Sequence, residues 1–168
     1  MTGLLRVAAG IDAATRFGGK LATFLLLALV ALVGWNVIGR YLIGESSIAL
    51  QELEWHLLPP IALLGMSLLM LEKGHVRVDM VYSRLARRQR EALDLFAMIV
   101  GVAVSVLFIK YSWSFVESSW SLLEGSPDPG GLPGRYLLKA VVPCGFALFG
   151  LQCLANAIRH AAALTGRS

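Results

Sequence analysis

LLPPIALLGMSLLML, residues 57 to 71, holds no charged side chain, and EKGHVRVDMVYSRLARRQRE, residues 72 to 91, follows it at once with six Lys or Arg. So sharp a step from apolar to basic is what a chain shows where it leaves a bilayer. The rest of the sequence agrees. It is 57% hydrophobic and 15% charged, with a mean hydropathy of +0.68, whereas soluble domains carry about a quarter charged residues. Four apolar runs stand out: Leu21–Ile43, Leu57–Leu71 (reaching back to Ile48), Ala92–Trp113 and Tyr136–Ile158. Each supplies roughly the 20 residues that cross a ~30 Å hydrocarbon layer as a helix. The strict alternation of a membrane barrel is missing, so the backbone must satisfy itself within helices. The fold class expected is an all-α membrane protein with four transmembrane helices, at about 21–43, 48–71, 92–123 and 136–158, forming a single integral membrane domain over 1–168.

Charge sets the expected orientation. Arg6, Arg16 and Lys20 precede the first run, six basic residues fill the second connection, and Arg159 and Arg167 lie in the tail. Against these eleven, the opposite side has Arg40, Lys110, Arg135 and Lys139, next to Glu45, Glu52, Glu54, Glu117, Glu124 and Asp128. Lys and Arg collect on the cytoplasmic side, which places both termini there. The net charge of +4 is then accounted for by topology and anionic lipid headgroups, with no nucleic-acid partner. The first run is too long for the core of a cleavable leader, and none is expected. Cys144 and Cys153 fall on opposite faces of one helix and are expected to be apolar fillers.

Two amphipathic stretches flank the spans. Leu4, Ala8, Ile11 and Thr15 recur at helical spacing, as a short helix lying in the membrane interface would require. Val78, Val81, Tyr82 and Leu85 form a second stripe, with Arg84, Arg87 and Arg88 turned to headgroups; a solvated loop is the rival reading. Ser46 or Ser47 is placed to cap the second span, and Pro59-Pro60 remove backbone hydrogen bonds within it. The third pattern runs on to Leu123, long enough to tilt or to project outward, with Tyr111, Trp113, Phe115 and Trp120 at the outer headgroup level. GSPDPGGLPG, residues 125 to 134, then breaks the helix, with Pro133 placed to start the last span.

Polar groups inside a membrane are functional candidates by default, and few are found here. Glu52, Glu54 and His56 open the second helix near the outer headgroups; Lys110 either pairs with one of those acids or snorkels to the surface. Gln152 and Asn156 share a helix face and suit interhelical hydrogen bonding. Ala97, Gly101 and Ser105 form a ladder of small residues that lets another helix approach. His56 and His75 stand at opposite ends of one helix, while His75 and His160 share the cytoplasmic margin, so only the latter pair is placed to hold a haem. No Cys/His cluster has metal-ligand spacing and no phosphate loop is present, so neither a cofactor nor catalysis is expected. Broken helices in repeated positions and midplane charges, the marks of a transport pathway, are missing too. Such a chain is suited to bracing another membrane protein.

An acidic turn, Gln51-Glu52-Leu53-Glu54-Trp55, leads into an apolar span that closes on Glu72-Lys73-Gly74-His75-Val76-Arg77-Val78-Asp79; a basic stretch follows, and Gly131-Leu132-Pro133 opens the last span. This pattern resembles the small membrane subunit, or Q component, of tripartite ATP-independent periplasmic (TRAP) transporters, over about Leu21 to Arg159. Gly74-His75 followed by Asp79 is its most specific part. The resemblance implies a bacterial inner-membrane protein beside a large multi-span transport subunit and a periplasmic substrate-binding protein, serving sodium-coupled uptake of an organic acid. Within the interfacial motif Gly74, His75, Arg77 and Asp79, the last three are expected to pin the junction after the second span by hydrogen bonds and an ion pair, or else to form an ordinary interfacial turn. Glu45, Glu52 and Asp128 become candidates for the periplasmic docking surface. The alternatives are a membrane anchor of a respiratory redox enzyme, with or without haem, and a small dimeric exporter. The exporter would want an acid within Leu21–Ile43, where none occurs.

Overall fold

The computed structural model describes residues 2–44, 47–72, 82 and 85–165. Four long helices account for nearly all of them: α1 (Thr2–Ile38), α2 (Ile48–Leu71), α3 (Arg87–Ser121) and α4 (Arg135–Leu164). All four are long and apolar enough to cross a membrane. Their outward faces are covered with exposed Phe, Leu, Val and Ile, which is stable only where lipid replaces water.

The ends of the helices follow from local chemistry. α1 closes in a π-helical turn, Gly39–Ile43, whose last carbonyls are capped by Gly44 in the left-handed region, its N–H donating to the Gly39 carbonyl. Ser47 precedes α2 in extended conformation without a side-chain cap. α3 begins at Arg87, because the Gln89 side chain accepts the Ala86 N–H at 2.9 Å. Arg87 and Arg88 therefore sit in the first turn of α3; most of the stretch read as a surface helix, 73–81 with 83 and 84, lies outside the described residues. Pro133 lies ahead of the helix it was expected to open: Gly134, with φ 80°, is the residue before α4.

The N-terminal stripe also finds a different setting. No break separates residues 4–19 from the first span; Gly3–Ile43 is one run of 41 residues, about 60 Å long and twice the hydrocarbon thickness. Ala8 and Thr15 of that stripe are buried, and Thr15 is turned to α4. A Thr in an apolar stripe here marked a helix–helix contact.

α4 is the hub. It packs along α3 on one side and against α1 and α2 on the other, while α1 and α2 also pack together. α3 packs chiefly on α4, so the molecule is a wall of helices more than a closed bundle. The core is correspondingly thin: Met98, Phe149 and Cys153, with Met66, Met70, Val102 and Phe146 around them. Phe108 stacks on Phe146 at 4.3 Å.

Close approach depends on small residues. A Cβ at Gly145 would come within 2.5 Å of the Leu63 Cβ, one at Gly101 within 2.8 Å of the Cys153 Sγ, and one at Gly150 within 2.8 Å of the Ser105 Cβ. Of the ladder read from sequence, Gly101 and Ser105 face α4, whereas Ala97 is exposed and Met98 takes the buried position. Gly145→Ala is expected to cost about 1–3 kcal/mol through overpacking, seen as a lower thermal midpoint in detergent. Gly34→Ala, where a Cβ meets nothing, should leave the midpoint unchanged or raise it.

Candidate functional site

Two polar clasps hold the wall at its opposite ends. The first joins α1, α2 and α4. The Thr15 hydroxyl donates to Gln152 Oε1 at 2.8 Å, and Gln152 Nε2 donates to Asp12 Oδ1 at 3.1 Å and to Asn156 Oδ1 at 3.3 Å. Asn156 Nδ2 reaches the Met70 carbonyl at 2.9 Å. Arg159 closes the ring, with Nη1 on Asn156 and Nη2 on Asp12 at 2.6 Å. Gln152 and Thr15 are fully buried, so each group there needs a partner, and each has one. The structure thus brings Gln152 and Asn156 together and adds Asp12, Thr15 and Arg159, of which the sequence reading had placed Thr15 in an interfacial stripe and Arg159 in a basic tail, neither as a partner of Gln152. Nearby, His160 Nδ1 meets Glu91 at 2.7 Å and links α4 to α3.

The second clasp organises the connection between α3 and α4. Glu52, from the first turns of α2, is only 4% exposed. One carboxylate oxygen accepts the Ser126 hydroxyl, and the other accepts the Leu132 N–H at 2.7 Å. Gly131 is required beneath, because a Cβ there would collide with Ser126 and with the Glu52 carboxylate. The loop also bonds to itself: Ser126 N–H donates to the Leu132 carbonyl and Gly131 N–H to the Asp128 carbonyl, both at 3.0 Å. Glu52 was expected to present its charge outward; it points inward and ties down the loop. Asp128 is exposed on that loop. Glu45 and the motif residues Gly74, His75, Arg77 and Asp79 lie outside the described residues.

At the end of α3, Leu123 takes a left-handed conformation, φ 46°, in a position that glycine usually fills. It lets the Leu123 N–H reach the Trp120 carbonyl and the Glu124 N–H reach that of Ser119. The Glu124 carboxylate is thereby returned over the helix end, accepting from Ser119 Oγ at 2.6 Å and pairing with Lys139 Nζ at 2.5 Å. Lys139 also lies over the Phe115 ring at 4.0 Å. The hydrogen bond from Lys139, then that from Ser119, holds the Glu124 carboxyl below the usual carboxylate range. A depressed folded value means that this stabilisation is complete above the unfolded value and disappears as pH falls through the folded one. The thermal midpoint should therefore drop on acidification below the usual carboxylate range, and drop less in Glu124→Gln.

Asn36 Nδ2 donates to Glu54 Oε1 at 2.6 Å, joining α1 to α2. Lys110, for which Glu52 or Glu54 was a possible partner, pairs with neither; it lies 5.9 Å from the Tyr111 ring. Between the two clasps, apart from His56 one turn in from Glu52, the interfaces are apolar. The Ser67 and Ser105 hydroxyls found there return to carbonyls of their own helices, Leu63 and Gly101. Among the described residues no cluster of three metal-ligating side chains occurs.

Fold and clasps together define a membrane protein with four helices long and apolar enough to span, locked at both ends and, among the described residues, without a polar route between. A family profile described as "Tripartite ATP-independent periplasmic transporters, DctQ component" matches residues 29–163. The chain belongs to this family and is the small membrane component of a TRAP transporter, a non-enzymatic role. No curated protein sequence matches it. Family membership implies the other TRAP components as partners and removes the basis for the redox-anchor and exporter readings.

Proposed function

We propose that this chain is a static scaffold that packs beside the large transport subunit and supports the docking of a periplasmic substrate-binding protein, in sodium-coupled uptake of an organic acid. The observation that carries this reading is the apolar interior between the two clasps, which among the described residues leaves no polar route for a solute. It acts as one integral unit of the bacterial inner membrane with both termini cytoplasmic. The asymmetry of Lys and Arg supports that orientation, and a C-terminal reporter active only in the cytoplasm tests it. The six Lys and Arg of residues 72–91 suit the anionic inner headgroups. There His75, Arg77 and Asp79, following Gly74, pin the turn after α2; intact assembly with abolished uptake in Asp79→Ala would contradict so purely structural a role. The outer loop, 125–134, with Asp128 and Glu45, forms part of the docking surface, and Glu52 fixes its shape from beneath.

Reconstitution tests the division of labour. Vesicles holding this chain with the large subunit, supplied with the capture protein and a sodium gradient, should accumulate the organic acid. Vesicles holding this chain alone should not, and accumulation there would refute the scaffold reading.

A further inference from the structure

We infer that the groove between α1 and α2, at the end of the molecule that carries their connection, binds one ethanolamine phospholipid, with Arg40 taking the phosphate and Glu54 the ammonium. The inference needs the membrane fold alone and goes beyond the scaffold reading. The groove encloses about 250 Å³; across it Val33, Val37, Arg40 and Tyr41, from α1 and its π-helical turn, face Glu54 and Trp55 of α2.

The sequence sets the depth of this groove. Arg40 ends the uncharged run 21–39, which as a helix spans roughly 28 Å, close to the ~30 Å of the hydrocarbon layer. Glu54 precedes the run 55–71, which holds no Asp, Glu, Lys or Arg. The two charges therefore stand at one headgroup level. Trp55 and Tyr41 are exposed beside them, as aromatic residues at an interface are.

The groove is distinguished by holding both signs unpaired. Among the described residues the Arg40 guanidinium has no hydrogen bond and no ion pair, with Glu54 or with any other acid. Asn36 Nδ2 donates to Glu54 Oε1 at 2.6 Å, which fixes the carboxylate and leaves Oε2 without a donor among the described residues. A simple anion would satisfy the arginine and strand the acid. A zwitterion with its two charges on a short linker satisfies both. Phosphoethanolamine has that form: its phosphate oxygens accept from the guanidinium, and its ammonium donates to Glu54 Oε2 beside the Trp55 ring. Val37, Val33 and Val30 continue the stripe from Arg40 towards the membrane centre, and all three are exposed. They give the acyl chains a track for which a soluble zwitterion has no use.

Other exposed cations lack this combination. Arg16 and Lys20 are exposed on α1, but Asp12, the acid on that stretch of helix, is already bonded to Gln152 and Arg159. Any anionic headgroup serves them. Lys110 has the Tyr111 ring at 5.9 Å and, among the described residues, no ion pair.

The experiment uses the purified full chain, delipidated and returned to micelles with one lipid at a time. The lipids are phosphatidylethanolamine, phosphatidylcholine and phosphatidylglycerol with identical acyl chains. Native mass spectrometry should show one phosphatidylethanolamine retained, about tenfold more tightly than either of the others. Phosphatidylcholine has no N–H to donate, and phosphatidylglycerol has no cation. Arg40→Gln and Glu54→Gln should each weaken that retention about tenfold; the second keeps an acceptor oxygen for Asn36, so the joint between α1 and α2 persists. Lys20→Gln, at the other end of the uncharged run, should change nothing. Phosphatidylcholine or phosphatidylglycerol held as tightly as phosphatidylethanolamine, or undiminished retention in both groove variants, overturns the inference and leaves Arg40 an ordinary interfacial cation.

Discussion

Gln152→Leu should lower the unfolding free energy by about 2 kcal/mol and loosen α1 from α4. Leucine nearly preserves the volume, so the loss comes from hydrogen bonding and not from a cavity. Gln152 accepts from Thr15 and donates to Asp12 and Asn156. Without it the buried Thr15 hydroxyl loses its interhelical acceptor, and Asp12 keeps only Arg159 among these partners. Single interhelical hydrogen bonds in membranes are worth about 0.6 kcal/mol on average and up to ~1.7; three shared bonds plus unsatisfied buried groups bring the total to roughly 2. Thr15→Val in the same chain should cost less than the two changes would separately, because both remove one bond. Reversible unfolding in detergent measures this. A Gln152→Leu protein as stable as its parent would mean that apolar packing alone holds α1, and that the clasp contributes little.

The spans were legible because lipid as solvent forces long, uninterrupted apolar runs, and α2 occupies the interval from Ile48 to Leu71 read from sequence. Helix ends were less legible. α3 starts at Arg87 because of one side-chain bond from Gln89, and hydrophobicity is blind to such caps. The face of a helix was only partly readable: Ala97, Gly101 and Ser105 recur every four residues, but at 3.6 residues per turn the stripe drifts, and Met98 replaces Ala97 against α4. Least visible were long-range polar pairs. Thr15 and Gln152 are separated by 137 positions, Asp12 and Arg159 by 147. Periodicity carries no such information, although a Thr at a stripe position gave a hint. Family identity, in contrast, was carried by a short local motif around Gly74, His75 and Asp79, which does not depend on knowing any contact.

Glu52→Ala separates holding the wall together from presenting its outer surface. Glu52 belongs to α2, yet both its carboxylate oxygens are spent on the 125–134 loop, on Ser126 and on the Leu132 N–H. The other joints of the wall do not involve it: Asn36 with Glu54 ties α1 to α2, and Asp12 with Arg159 ties α1 to α4. Removing the carboxylate should therefore leave co-purification with the large subunit near normal while freeing the loop from its base. If that loop docks the capture protein, uptake at limiting capture protein should fall on the order of tenfold, since an ordered docking surface must be reformed in each encounter. Saturating capture protein should restore part of the rate. Glu52→Gln, which keeps one acceptor oxygen, should be intermediate. Gly131→Ala should behave like Glu52→Ala, because its Cβ would strike the same Ser126 and Glu52 atoms. The two substitutions act from different elements on one loop, so a shared uptake defect with intact assembly points to loop shape and not to lost negative charge. Were uptake unchanged, or reduced only in proportion to lost assembly, the loop would have no part in docking and the capture protein would have to engage another surface.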